Sequence, residues 1–186
     1  RPMTAIRLAR SALAASTGPD GRTYRLLYPF PLSEQVREMA TKASVDPWLV
    51  AALTRQESAW DPKATSRAGA RGLMQVMPAT GALVAKRLNV ARWHPDSLYA
   101  PTLNLQIGIR YLAERLDRCQ GDHVCALAGY NAGPARIAKW MQQPGAEDRD
   151  FLIERMAFAE TRDYVRTVRR NIALYRALYG TAGAIP

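Results

Sequence analysis

Long apolar runs are missing from this chain. Its 186 residues hold no stretch near the roughly eighteen consecutive apolar residues of a membrane-spanning helix. The segment TAIRLARSALAAS, near the N-terminus, is interrupted by Arg7 and Arg10, so it reads as an ordinary helix rather than a signal peptide. Period-two alternation of apolar and polar residues is also missing, which argues against a sheet-based domain. No internal repeat is present. Cysteine and histidine are scarce, with two of each. Cys119, Cys125 and His123, in RCQGDHVCALA, fall short of the four ligands of a structural zinc site, and the spacing is not that of a CxxC redox pair. No other cluster offers ligands to a metal, so neither metal nor cofactor is expected. The chain begins at Arg1 rather than methionine and is read as processed, or cut from something longer.

What is present is ordinary in bulk and unusual in charge. An apolar content of 48% with 23% charged residues describes a globular chain, long enough to bury one substantial core. The formal net charge is +10, and 22 of the 26 basic residues are arginine. That balance favours polyanionic partners: nucleic acid, anionic lipid or an acidic polymer. The densest group, Arg162, Arg166, Arg169, Arg170 and Arg176, shares a helical pattern with Tyr164, Val168, Ile172 and Tyr175. A solvated helix face is the ordinary reading of that pattern, and no nucleic-acid motif accompanies it. Two readings of the cysteines stand. They close a short loop around Gly121 as a disulfide in an oxidising compartment, or they remain a reduced, half-buried pair. A bond there would contribute about 2 to 3 kcal/mol at most.

Punctuation predicts a string of helices. Ser33 is expected to cap SEQVREMATKA, and Asp46-Pro47 to open PWLVAALTRQESAW with a cap and a proline at the first position. That helix should stop before Asp61-Pro62, because the residue before proline resists helical geometry. Residues 62–72 read as a loop. Pro78 begins another helix, a turn surrounds His94-Pro95, and residues 101–119 are helical again, with Leu105, Ile109, Leu112 and Leu116 on one face. Short helices follow over residues 123–130 and 134–141, and a long one over residues 159–179. The fold class expected is all-α or nearly so, with room for one short hairpin near residues 64–76.

One carboxylate stands where an apolar residue is due. Leu49, Leu53 and Glu57 fall at steps of four, so two turns of leucine aim the acid toward the core side of its helix. Apolar surroundings raise a carboxyl pKa toward neutrality, and a protonated glutamate can donate to a leaving oxygen. The competing reading turns Glu57 outward, or pairs it with Arg55, Arg67 or Arg71.

The surrounding string, ESAWDPKATSRAGARGLMQVMPAT, closely resembles the signature of the soluble lytic transglycosylases, the catalytic-domain type of large periplasmic enzymes in Gram-negative bacteria. ALAGYNAGPARI (residues 126–137) and ETRDYVRTV (residues 160–168) look like that family's second and third motifs, in the family's order. LNLQIGIRYLAERLD is similar to its central buried helix. The resemblance covers about residues 24–180. It implies a lysozyme-like helical domain over residues 23–186, with residues 1–22 a leader or the last helix of a missing upstream domain. It further implies cleavage of the β-1,4 bond between N-acetylmuramic acid and N-acetylglucosamine in peptidoglycan, leaving 1,6-anhydro ends, in cell-wall remodelling.

Glu57 occupies the position of the family's catalytic acid, acting first as acid and then as base. Ser66, Gln75, Met77, Tyr130, Asn131, Glu160 and Tyr164 match substrate-binding positions. Each has a plainer alternative: a turn serine, core filler, a satisfied buried tyrosine, or for Glu160 a partner of Arg162. Asp61 reads as a turn residue rather than a second catalytic acid, and the four tryptophans read as core. Ala157 departs from the proline usual before the ETR block. The partners implied are peptidoglycan glycan strands, with other cell-wall enzymes or an upstream domain beside them, and neither nucleic acid nor a membrane span. The compartment implied is the periplasm. Two rivals stand: a muramidase that admits water to the same acid, and a non-catalytic wall-binding module.

Overall fold

The computed structural model describes residues 20–180, together with Thr4, residues 6–9 and Ser11. Those few N-terminal residues are helical, with Ile6 and Ala9 buried. The leader or upstream-helix expectation for residues 1–22 otherwise lies largely outside the described residues. From Gly21 onward the elements are α1 (Gly21–Leu27), α2 (Ser33–Lys42), α3 (Pro47–Ser58), α4 (Pro78–Arg87), a 3-10 turn (Pro95–Tyr99), α5 (Pro101–Arg118), α6 (His123–Ala132), α7 (Pro134–Trp140), α8 (Arg149–Arg155) and α9 (Ala159–Tyr179).

Proline opens four of these helices. Pro47, Pro78, Pro101 and Pro134 sit in the first turn of α3, α4, α5 and α7, where a missing N–H costs nothing. Asp46 caps α3 as expected, accepting from the Trp48 N–H. Ser33 does not cap α2. The first bond of that helix runs from the Val36 N–H to the Leu32 carbonyl, so Ser33 lies inside the first turn and Leu32 holds the cap position without a side-chain bond. The expected hairpin is also reduced. Among the described residues there is no strand, only two isolated antiparallel bridges, Thr65 with Arg71 and Arg71 with Val76.

Helix α9 is the longest element and packs along α3 and across α6, while α5 lies against α2, α4 and α6. Leu105, Ile109 and Leu112 of α5 are buried as the period predicts, and Leu116 is partly so. Gly108 lets the loop before α4 press onto α5, for a Cβ there would lie 2.5 Å from the Met74 sulfur. At the far end of the α3–α9 pair is an aromatic cluster. The Trp60 indole donates to the Tyr175 hydroxyl (3.0 Å), which donates to the Pro29 carbonyl (2.8 Å). All four tryptophans pack on or within the core, as their default reading had it.

The arginine-rich face of α9 is partly paired rather than merely solvated. Arg166 bonds Glu154, Arg169 reaches Asp150 at 2.7 Å, and Arg176 reaches Asp46 at 2.6 Å. These exposed pairs link α8 and the start of α3 to α9 as weak, solvent-screened contacts. Cys119 and Cys125 are joined by a disulfide across the α5–α6 turn.

Candidate active site

Glu57 is the next step of a stripe whose Leu49 and Leu53 are fully buried, but it stands in the last turn of α3, where the core opens. Its helix ends in an unusual way. Ala59 (φ 50°) and Trp60 (φ 67°) both adopt the left-handed region without being glycine, a strain that the buried, hydrogen-bonded Trp60 ring holds in place. Asp61 then folds onto its own loop, accepting from the Lys63 N–H at 2.9 Å. It is a turn residue, as read from the Asp-Pro pair.

The Glu57 carboxyl has one hydrogen-bond partner, the Tyr164 hydroxyl, which donates to Oε1 at 2.7 Å from the second turn of α9. None of the ion pairs among the described residues involves it, so the alternatives with Arg55, Arg67 or Arg71 are not what the fold adopts. Arg55 donates to the Leu27 carbonyl and Arg71 pairs with Asp96. Burial pushes the Glu57 pKa up to about 7; the Tyr164 bond pulls against that shift, and the negative charge of Glu160 adds to it. Tyr130 and Tyr164 are themselves pushed well above the ordinary phenol range, first by burial and then by the Glu57 charge, so both remain hydrogen-bond donors.

Tyr130 sits near the end of α6 and donates to the Met74 carbonyl at 2.8 Å, its ring tilted against Tyr111 at 5.2 Å. The next residue, Asn131, accepts from the Thr161 hydroxyl at 2.7 Å. Two hollows meet at this point. One, of about 270 Å³, is lined by Gln75, Met77, Tyr111, Tyr130 and Asn131 among others. The other, of about 380 Å³, is lined by Asn131, Arg136, Phe158, Glu160 and Thr161. Asn131 belongs to both. Glu57 lines neither, but its neighbours Tyr130 and Glu160 line one each.

The remaining expected residues divide. Met77 is 42% exposed and opens onto the first hollow, whereas Met74 is fully buried beneath it. Gln75 lines that hollow while spending its amide on the loop, donating to Ala64 (3.1 Å) and Gly72 (2.9 Å) carbonyls from a left-handed backbone. Ser66 is placed in neither lining. Its Oγ accepts from the Ala70 N–H at 3.0 Å, which is the turn-serine arrangement. Glu160 is exposed, and Arg162 instead donates to the Met156 carbonyl, so that proposed pair does not form.

Two residues escaped the sequence reading. Tyr111 is one. The other is Asn104 of α5, fully buried, whose Oδ1 accepts from the Met74 N–H (2.8 Å) while Nδ2 donates to the Arg71 (2.9 Å) and Leu98 (2.8 Å) carbonyls. It staples residues 71–74 to the core and thereby sets Gln75 and Met77 at the hollow. Gly72 is required beside it: φ is +75° and a Cβ would fall 2.4 Å from Asn104 Nδ2. A polar residue four positions before Gly108, on the buried face of α5, was the available signal.

A helical domain with one partly buried acid, held by a tyrosine and without an ion pair among the described residues, beside two hollows that its neighbours line, is the class these features define. The chain belongs to the transglycosylase SLT domain family, whose model matches residues 34–153. It is 38% identical over 136 residues to the soluble lytic murein transglycosylase of Salmonella typhimurium, covering 72% of this chain and 21% of that protein. Among solved structures, the 70 kDa soluble lytic transglycosylase of Escherichia coli matches with a TM-score of 0.81 and 31% identity, over 85% of this chain and 26% of that one. An inactive glutamate-to-glutamine mutant of the Pseudomonas aeruginosa lytic transglycosylase Slt matches with a TM-score of 0.82 and 28% identity, over 96% and 29%. The chain thus spans roughly a quarter of the length of these relatives. The all-α, lysozyme-like fold expected from the resemblance is the fold found.

Proposed function

We propose that residues 23–186 form the catalytic domain of a peptidoglycan lytic transglycosylase acting in the periplasm of a Gram-negative bacterium, where it remodels the cell wall. The observation that carries this reading is the Glu57 carboxyl, held by Tyr164, without an ion pair among the described residues, and pushed by burial up to a pKa of about 7. In its acid form Glu57 gives its proton to the oxygen bridging N-acetylmuramic acid to the next sugar, and the C1–O bond breaks with the electron pair leaving on that oxygen. The N-acetyl carbonyl of the same muramic residue supports C1, the role a second carboxylate plays in the usual glycosidase. Glu57, now a carboxylate, takes the proton of the sugar's own 6-hydroxyl. That oxygen closes on C1 and gives the 1,6-anhydro end, with the acid restored and no water consumed.

The neighbours divide the labour. Tyr164 holds the carboxyl by one oxygen, leaving the other for the proton transfer. Met77, Gln75, Tyr130 and Asn131 bind the strand on one side and Glu160 on the other, while Ser66 shapes the loop that carries Gln75 and Met77. The net charge of +10 suits an acidic wall polymer. The inactive relative with glutamine in place of a glutamate agrees with a catalytic glutamate in that enzyme. An oxidising compartment also suits the Cys119–Cys125 disulfide.

Mass spectrometry of digested sacculi is the test. Anhydro ends, one water lighter than reducing ends, are expected. Reducing ends alone would make the domain a muramidase and remove the ring-closure step, and intact sacculi would leave it a wall-binding module.

A further inference from the structure

Away from Glu57, a cavity of about 410 Å³ opens between α5, α6 and α7, beside the disulfide. Its wall is mostly apolar, with Gly129, Pro134, Ile137 and Met141 contributing, and it carries no acidic side chain. Into this setting α5 brings Arg115, only 7% exposed. Its Nε is buried without a hydrogen-bond partner, and its guanidinium stacks over the Tyr111 ring at 4.9 Å, with no ion pair among the described residues. Arg118, one helical turn away in sequence terms, is exposed on the same lining and has no ion pair among the described residues. Arg149 also lines the cavity, but Asp122 already answers its charge.

Buried guanidinium groups cannot shed their charge, so they are ordinarily matched to a carboxylate or phosphate. Here the described residues supply none to Arg115. We infer that this cavity is a carboxylate-binding pocket, built to seat the free C-terminus of a short peptide with Arg115 and Arg118 on the carboxylate and the apolar wall on the adjoining side chain. A planar carboxylate suits the paired N–H donors of a guanidinium. The apolar wall selects an organic chain over a bare inorganic anion. Pro134 lines this cavity as well as the hollow at Tyr130, and Arg115 stacks on Tyr111, which lines that hollow, so the pocket adjoins the proposed glycan trough. The peptide arms of a wall polymer are the natural source of such a group. That source rests on the proposed function; the pocket itself does not.

Calorimetric titration with acetyl-alanyl-alanine, its C-terminal amide and inorganic phosphate decides the matter. The acid should bind and the amide should bind at least about tenfold more weakly, the usual scale for losing a charged hydrogen-bond partner. Arg115→Met should weaken the acid by about the same factor. Arg118→Gln, at an exposed position that folding tolerates, should weaken it by roughly threefold. Equal binding of acid and amide, or unchanged binding in Arg118→Gln, would overturn the assignment. Phosphate binding as tightly as the peptide would make this a general anion site and overturn the peptide. A domain that cleaves no glycan still gives a readable titration, so the two readings fail separately.

Discussion

Glu57 and Arg115 pose the same physical problem in two parts of the domain, and the fold answers it differently. Each is an ionisable group largely withdrawn from water and without an ion pair among the described residues. A carboxyl can answer burial by keeping its proton, and Glu57 does so, with a pKa near 7. A guanidinium has no such escape, because it stays charged throughout the accessible pH range. The same desolvation therefore makes one residue a proton donor and leaves the other waiting for an anion. Chemistry sits where the charge is optional, and recognition where it is not.

The largest effect expected from breaking this contrast lies at the acid. Glu57→Gln keeps shape and an acceptor for Tyr164 but removes the transferable proton. Turnover on sacculi should fall about 10²- to 10⁴-fold while binding in a sedimentation assay is kept. Turnover within a few-fold of the parent would show that the proton comes from elsewhere.

Stability separates the two groups next. A carboxyl whose folded pKa is raised contributes stability in full below its ordinary value of 4.5, and loses it as pH rises through about 7. Glu57→Gln should therefore raise the melting temperature of the domain above neutral pH and change it little near pH 5. Arg115→Met removes a charge that does not titrate, so its effect on stability should be the same at both pH values. At about 2 to 4 °C per kcal/mol, melting curves resolve these patterns. A pH-dependent effect of Arg115→Met would mean that a titrating partner faces it after all.

How far the sequence carried this picture depends on the range of the interaction. Prolines at 47, 78, 101 and 134 mark helix starts because their effect is confined to neighbouring residues, and they were legible. So was the Leu49-Leu53-Glu57 stripe, which requires only helical spacing. Helix α8 was missed: RDFLIER is short, with Leu152 and Ile153 buried in sequence and Phe151 half out, and so has no periodicity to read. Ser33 misled because a cap is defined by where the first backbone bond forms, which tertiary packing settles. The site's geometry was the least legible part. Tyr164 meets Glu57 across 107 positions, and only the order of the three resembling motifs hinted that they converge. Asn104 and Arg115 each looked like one more polar residue on a helix. Burial is what distinguishes them, and burial is not written in a single chain.

The smallest expected effect is also the sharpest test of what tunes the acid. With Glu57 active when protonated, kcat/KM on glycan strands should fall as pH rises through about 7. Two conservative changes should move that limb in opposite directions. Tyr164→Phe removes a donor that favours the carboxylate, so the Glu57 pKa rises and the limb moves to higher pH. Glu160→Gln removes a like charge that disfavours the carboxylate, so the pKa falls and the limb moves to lower pH. Loss of packing or of substrate contact in either variant would lower the whole profile without shifting its inflection. Opposed shifts thus report on electrostatics alone, and shifts in the same direction would mean that Tyr164 and Glu160 do not act on Glu57 through its proton.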